Sequence, residues 1–373
     1  MKIMLLCQSL VVGGTQRQIA LLAPLLRRRG HDVSVAVFYS GGPFVSTLVV
    51  SGVTIHDLRK GGRWHVFGFL LRLRRLIVRE RVDVLYAFLP VANIVAATVK
   101  QFVHPAPRLV FGVRSARMAA AEYDWLTGRQ YRIEALLSGT ADGVIVNSGK
   151  GLADINARGF RGTPAIVIPN GVDTERFAPD SVARERIRAE WGIEANDMLV
   201  GHVARFDPMK GHHIFFAAAQ QLARDRSWRF VCVGIDDDKI PQARALAEQF
   251  GVERRVIFAG TRTDMGACLN ALDIVCQASR FGEGFPNAVA EAMACGVPCV
   301  VTDVGDASVI VGGLGVVVPP GDVAALVKGL VDLRERLEAG SIVARELRCS
   351  IVERFSAETI AVATERALQA IVG

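Results

Sequence analysis

FGEGFPNAVAEAMACGVPCVVTDVG, residues 281–305, passes from a glycine-punctuated loop into a helix and then into an apolar strand. Pro286 is tolerated in a first helical turn and Gly296 suits the position just past a last one, so a helix is expected from near Pro286 to Cys295. Every side chain from Ala288 to Cys295 except Glu291 is apolar, which predicts a helix buried on all sides. The strand expected over Pro298–Thr302 is a nearly continuous apolar run, the pattern of a parallel strand covered on both faces. Two carboxylates then stand in unusual company. Glu283 lies between two glycines, and Glu291 is the one charge on the buried helix. A charged carboxylate there costs several kcal/mol unless it is paired or hydrogen-bonded. Its chemistry leaves two partners open: an Arg or Lys in a structural ion pair, or the hydroxyls of a ligand.

The same alternation runs through the chain. Strands are expected at Ile3–Cys7, Val33–Phe38, Val53–Asp57, Val82–Phe88, Leu109–Val113, Val144–Asn147 and Ala165–Ile168. A second series is expected at Leu199–Ala204, Phe230–Val233, Val256–Gly260, Ile274–Gln277, Pro298–Thr302 and Val316–Val318. Repeated strand–helix–strand order argues for an α/β protein of two doubly wound parallel-sheet domains. The break falls near IPNGVDTERFAPD, 168–180, which Pro169, Asn170-Gly171 and Pro179 punctuate. Ligands of such sheets sit at the carboxyl ends of the strands, which predicts an interdomain cleft as the site.

A chain of 373 residues, 51% hydrophobic and 22% charged, has material for two cores. No run approaches the roughly 18 apolar residues of a membrane span. The short apolar run Ile3–Cys7 reads as a first strand and not as a leader. Seven scattered cysteines form no metal-ligand pattern, and reduced thiols in a cytoplasmic protein are expected. Of the net charge of +7, residues 1–180 carry 23 Lys and Arg against 12 Asp and Glu, and the rest carry 21 against 25. The basic first half implies an anionic ligand or surface. Nucleic acid is not expected, because no zinc-finger, RNP or homeodomain signal is present.

Two further stretches can carry chemistry. In VVGGTQRQIALLAPLLRRRGHDV, 11–33, Gly13 and Gly14 follow the first strand and open a helix. Glycines there allow close backbone approach, and the helix start offers amides to an anion. The dinucleotide spacing G-x-G-x-x-G is absent. In HVARFDPMKGHH, 202–213, Arg205 lies just past a strand and Lys210 at a helix start, the placement of a diphosphate clamp. Asp236–Asp238 read as a charged loop rather than a metal site.

With these residues in hand, the chain resembles the retaining glycosyltransferases of the GT-B fold, in the large fourth sequence family, glycosyl transferases group 1. The E-x7-E signature is matched by Glu283 and Glu291. GGTQRQ, RGHDV, VIVNS, IPNGVDTERFAP, VARFDPMKGH and GVVVPPGD (315–322) extend the likeness over nearly the whole chain. The resemblance implies domains of 1–170 and 171–355, with 356–373 crossing back onto the first. It implies that Glu291 binds the donor ribose and that Glu283 accepts from hydroxyls of the transferred sugar. Arg205 and Lys210 would hold the diphosphate and neutralise the leaving charge. The backbone of Gly284, Phe285, Pro286 and Asn287 would line the sugar and phosphate, with Gly13 and Gly14 touching the diphosphate. Thr261 and Arg262, in AGTRTD (259–264), match the family's nucleobase loop.

The activity so implied is transfer of a hexose or N-acetylhexosamine from a nucleotide sugar, UDP-linked, to a saccharide or lipid-linked acceptor of polysaccharide or glycolipid synthesis. It proceeds with retention and needs neither metal nor other cofactor. Alternatives from other classes are a GT-B sugar-nucleotide epimerase and a non-catalytic nucleotide-sugar-binding module. The family's first-domain histidine has no counterpart in LVFGVRSARM, 109–118, where Arg114 and Ser115 become the acceptor-side candidates. RWHVFGFLLRLRRLIVRER, 63–81, is expected as a helix with Val66, Phe69, Leu70, Leu73, Leu76 and Ile77 in the core. Trp64, Phe67 and Leu71 would extend its apolar surface, and Arg72, Arg75 and Arg79 would line another face. It suggests peripheral contact with an anionic membrane, on the inner face of the cytoplasmic membrane.

Overall fold

The computed structural model describes residues 1–11, 13–61, 66–114 and 125–373. The candidate Ser115 and the helix residue Trp64 lie outside the described residues. The chain divides into two compact units: unit 1 is Met1–Gly171 with Ala357–Gly373, and unit 2 is Val172–Ser356.

Unit 1 contains β1 (Lys2–Cys7), β2 (Asp32–Val37), β3 (Thr54–Asp57), β4 (Val84–Phe88), β5 (Arg108–Val113), β6 (Gly143–Val146) and β7 (Ala165–Val167). They form one parallel sheet in the order β3-β2-β1-β4-β5-β6-β7. Its helices are α1 (Gly14–Arg28), α2 (Phe44–Val50), α3 (Val66–Glu80), α4 (Pro90–Lys100), α5 (Trp125–Leu137) and α6 (Gly149–Ala157). Unit 2 contains β8 (Met198–Val203), β9 (Trp228–Val233), β10 (Val256–Phe258), β11 (Ile274–Gln277), β12 (Cys299–Thr302) and β13 (Val316–Val318). Their order is β10-β9-β8-β11-β12-β13, again all parallel. Its helices are α7 (Ser181–Glu190), α8 (His212–Leu222), α9 (Ile240–Gln249), α10 (Met265–Ala271), α11 (Asn287–Ala294), α12 (Ala307–Val311), α13 (Val323–Glu338) and α14 (Ala344–Phe355). The last helix, α15 (Ala357–Val372), returns to unit 1.

The apolar strand runs have a direct cause. In β12, Cys299 and Val301 face one core layer of unit 2 while Val300 faces the other. In β1, Ile3 and Leu5 face one layer of unit 1 while Met4 and Leu6 face the other. With both faces covered, neither set of alternate side chains can be polar. Each sheet reverses its strand order at one point, between β1 and β4 in unit 1 and between β8 and β11 in unit 2. Crevices open there at the carboxyl ends of doubly wound sheets.

α15 is held in unit 1 by packing and charge. Ile360, Ala361, Ala367 and Leu368 join the layer that contains Ile19 and Leu22 of α1. Glu365 accepts from Arg29 and from His31 Nε2 at 2.8 Å, and Arg28 pairs with Glu358 at 2.9 Å. Gln18 joins α1 to the end of the first segment, donating to Gly171 O at 2.8 Å and accepting from Gly171 N at 2.7 Å.

In α3 the core stripe is narrower than the sequence suggests. Phe69, Leu73, Leu76 and Ile77 are buried, but Leu70 is half-buried and Val66 is exposed, because the first turn projects past the core.

Candidate active site

Unit 2 gathers a charged cluster where β8 and β11 end. After β8 the chain passes exposed Arg205 and makes one tight turn, Pro208–Lys210, in which Asp207 accepts from Met209 N at 3.0 Å. Gly211 then starts α8 with φ 70°. A Cβ at Gly211 would run into the Ala278 carbonyl, so only glycine lets this turn lie against the loop that leaves β11. Arg280 N donates to Met209 O at 2.7 Å and stitches the two loops together.

That contact delivers Lys210 to Glu283. Lys210 Nζ lies 2.6 Å from Glu283 Oε1, and Ser279 Oγ donates to the same oxygen at 2.6 Å. Burial pushes the Glu283 carboxyl up, but the Lys210 ammonium and the Ser279 hydroxyl outweigh it, so its net displacement is below the ordinary range. Glu283 is therefore a carboxylate at neutral pH although it is only 7% exposed. The sequence reading gave these two residues separate jobs. The structure joins them across 73 positions of chain.

The glutamate loop is clamped from its other side as well. Thr302 Oγ1 donates to Ser279 O at 2.6 Å, and Asp306 N donates to Gly284 O at 2.8 Å. Gly305, at φ 62°, lies so close that a Cβ would stand 2.8 Å from Glu283 Cβ. Phe285 is buried and packs edge-on against Phe355, ring centroids 5.2 Å apart. Pro286 caps α11, whose first full turn begins at Asn287. The first amides of a helix have no intrahelical acceptor and suit an anion. Along α11, Val289, Ala290, Ala292, Met293 and Ala294 enter the core with Glu291, itself 5% exposed. Gly296, at φ 81°, ends the helix.

The other sequence candidates are placed as follows. Arg205 is exposed and its side chain makes no hydrogen bond or ion pair among the described residues. Thr261 lies on the loop after β10, its hydroxyl 3.5 Å from Ile235 O and from Asp236 Oδ1. Arg262 beside it is committed elsewhere, to Glu190 at 2.6 Å and Asp264 at 2.8 Å, and so braces its loop against α7. In unit 1, Gly14 begins α1 and Gly13 precedes it at φ 178°, extended backbone that any residue adopts. Arg114 extends from the carboxyl end of β5. It donates to Tyr86 Oη at 2.6 Å and Asn170 Oδ1 at 3.1 Å, and its guanidinium lies over the Phe88 ring at 5.1 Å. Its Nε is buried without a partner among the described residues.

Sequence reasoning missed Ser279 and Thr302. The available signal was position, because Thr302 ends one apolar strand and Ser279 lies two residues past another, where a short hydroxyl side chain can bond a returning loop. His202 and His212 are both buried beside this cluster, at 1% and 3% exposure. His202 Nδ1–H donates to Cys276 O at 2.9 Å, and the ring meets His212 edge-on with centroids 4.5 Å apart. Neither ring nitrogen of His212 has a partner among the described residues. Burial holds His202 down to about 4 and His212 to about 2, from an ordinary 6.5. Both are neutral in the folded state and charge readily in the unfolded chain, so below 6.5 the unfolded state binds more protons. Stability should fall as pH drops from 6.5 toward 4, by up to about 1.4 kcal/mol per pH unit for each histidine. Urea unfolding at pH 7 and pH 5 measures this. The His202→Asn/His212→Phe variant should lose much of the pH dependence, and an unchanged slope would locate the acid sensitivity elsewhere.

Two doubly wound parallel sheets, with a carboxylate–lysine cluster at the switch point of the second, define a protein of the GT-B fold. The model for Glycosyl transferases group 1 matches residues 197–336, and that for Glycosyltransferase Family 4 matches residues 12–176. The chain belongs to the group 1 GT-B glycosyltransferases. The putative glycosyltransferase EpsF of Bacillus subtilis is 33% identical over 138 residues, 37% of this chain and 35% of EpsF. The lipopolysaccharide core biosynthesis mannosyltransferase LpsB of Rhizobium meliloti is 31% identical over 215 residues, 54% of this chain and 58% of LpsB. The chain thus spans between about a third and three-fifths of these curated relatives. The crystal structure of Anabaena HepE in complex with UDP-glucose superimposes with TM-score 0.86 at 25% identity, covering 99% of each chain. Among the described residues no helix is long and apolar enough to cross a membrane.

Proposed function

We propose that this protein transfers a hexose or N-acetylhexosamine from a UDP-sugar to a saccharide or lipid-linked acceptor, with retention, in polysaccharide or glycolipid synthesis. The observation that carries this reading is the Lys210–Glu283–Ser279 cluster beside the start of α11, with Glu291 buried one turn further on. A nucleotide sugar needs cations and amides for its diphosphate and acceptors for its hydroxyls, and this cluster presents both. Support for UDP comes from HepE, whose structures are described with UDP, with UDP and glucose, and with UDP-glucose. Support for the class of product comes from LpsB and from an Escherichia coli relative named as a galactosyltransferase acting on a diphosphoundecaprenol-linked sugar.

In this reading Arg205 and Lys210 neutralise the diphosphate as it leaves, a preorganised electrostatic contribution. Their charge makes a metal ion unnecessary. Glu283 Oε1 is already occupied by Lys210 and Ser279, so we assign Oε2 to the hydroxyls of the transferred sugar. Glu291 takes the ribose hydroxyls. The anomeric carbon–oxygen bond to the diphosphate breaks while the acceptor oxygen bonds the same face of the sugar. The acceptor proton passes to the departing phosphate oxygen, so no separate base is needed. Unit 1 receives the acceptor, with Arg114 as its cationic contact.

A donor panel tests the reading by thermal shift. A ligand that binds the folded state raises its melting temperature, by an amount equivalent to about 2.7 kcal/mol at a hundred times Kd. One UDP-sugar should shift the protein well above UDP alone and above other nucleotides. Equal shifts with every nucleotide, or none, would contradict the donor assignment.

A further inference from the structure

α3 carries two apolar stripes. Phe69, Leu73, Leu76 and Ile77 face inward and are buried. On the opposite side Phe67 is 82% exposed, Leu71 49% and Val78 47%. Positions 67, 71 and 78, spaced by four and seven, fall on one line of a helix. A helix that needs only to cover a core has polar residues on that line. Beside it stands Phe102, 63% exposed, whose carbonyl accepts from Arg74 Nε at 2.6 Å.

The stripe is flanked by cations. Arg74 borders one side, and Arg75 and Arg79 border the other, all exposed. Arg72 is not among them, because its guanidinium bonds Leu58 O and Arg59 O. The sole acid of α3 is Glu80, which pairs with Arg79 at 2.9 Å. The first half of the chain carries the same sign, with 23 Lys and Arg against 12 Asp and Glu over residues 1–180.

We propose that this face is a docking surface for an anionic lipid bilayer, with α3 lying in the plane of the interface. An apolar line with arginines on both sides fits the boundary between acyl chains and anionic headgroups, and charge complementarity selects this occupant over neutral lipid. The helix is too short and too charged to span, so the contact is peripheral. The surface goes beyond the glycosyl-transfer reading and stands independently of it, since none of these side chains belongs to the donor cluster.

Flotation of the full chain with phosphatidylglycerol-containing and pure phosphatidylcholine vesicles tests it. The protein should float with the anionic vesicles at low salt and much less with phosphatidylcholine. Phe67→Ser/Leu71→Ser should reduce partition at least tenfold at any salt. Arg74→Gln/Arg75→Gln should remove the preference for anionic lipid. All substituted positions are exposed, so the melting temperature should hold, and UDP release in solution should be unchanged in both variants. Absence of flotation with anionic vesicles would overturn the proposal, as would flotation that neither variant weakens. A change in sedimentation from dimer to monomer in Phe67→Ser/Leu71→Ser, without lipid binding by the parent, would assign the face to a second copy instead. Absence of UDP release by the parent, with its flotation intact, would count against the transferase reading alone.

Discussion

Lys210→Ala should destabilise unit 2 by about 3–5 kcal/mol, the cost of leaving a buried charge without its partner. The same change should lower donor turnover by about 10²–10³, the loss expected when one preorganised donor to a developing negative charge is removed. These two effects can be separated. Lys210→Met/Glu283→Gln removes both charges at once, and uncharged partners of similar volume relieve the desolvation cost. Stability should recover most of its loss, whereas turnover should stay low. The pH dependence carries a sign that checks the assignment. With Lys210 present, the Glu283 carboxyl lies below its ordinary 4.5, so the pair stabilises the fold above that value and fades as pH falls through the lower folded one. Without Lys210 the largest remaining influence is burial, which pushes the carboxyl up. The deficit of Lys210→Ala should therefore shrink as pH is lowered toward 5. A deficit that grows on acidification would mean that Glu283 is not the partner left behind.

Gly211→Ala should be the most damaging single methyl in the site. Its φ of 70° costs an alanine about 1–2 kcal/mol. The new Cβ also collides with the Ala278 carbonyl, and relieving such an overlap costs about 1–3 kcal/mol more. Relief requires the loop after β11 to move, which breaks the Arg280–Met209 bond and draws Glu283 away from Lys210. Gly251→Ala is the control. It has φ 66° but nothing within 4 Å of the new carbon, so it meets the backbone cost alone. Urea midpoints and UDP-sugar turnover of the two variants should differ sharply. Equal stability losses with turnover retained in both would mean that the loop contact is not what places the cluster.

The strands were legible because burial on both faces leaves a mark that needs no neighbour. Each expected strand has a counterpart, most within two residues of the expected ends. Glu291 was legible for a similar reason, since a lone charge on an apolar helix demands an explanation. The pairing of Lys210 with Glu283 was not. It depends on two loops separated by 73 positions, brought together by the space at Gly211 and Gly305, and a glycine in a sequence does not say which carbonyl it makes room for. Gly13 shows the converse. It reads as a position where backbone freedom matters, yet it is extended, and a Cβ there would meet only the tip of Gln16. Arg262 has the right chemistry for a base-binding loop, but Glu190 on α7, 72 positions away, meets it only after folding and joins the nearby Asp264 in holding it. In α3 the sequence already set Phe67 and Leu71 apart from the core stripe, but it placed Val66 and Leu70 in the core and did not single out Val78, because only packing shows where the stripe's edges fall.

The central claim is that the cluster at the end of β8 and β11 holds the donor of a glycosyl transfer. UDP release from the UDP-sugar that gives the largest thermal shift, compared among the parent, Arg205→Ala and Glu283→Gln, tests it most directly. Arg205 is exposed and makes no side-chain bond among the described residues, so its removal should leave the melting temperature unchanged. The account predicts slow release by the parent and a loss of about 10²–10³ in Arg205→Ala, with Glu283→Gln similarly impaired. Undiminished release by both variants would contradict it.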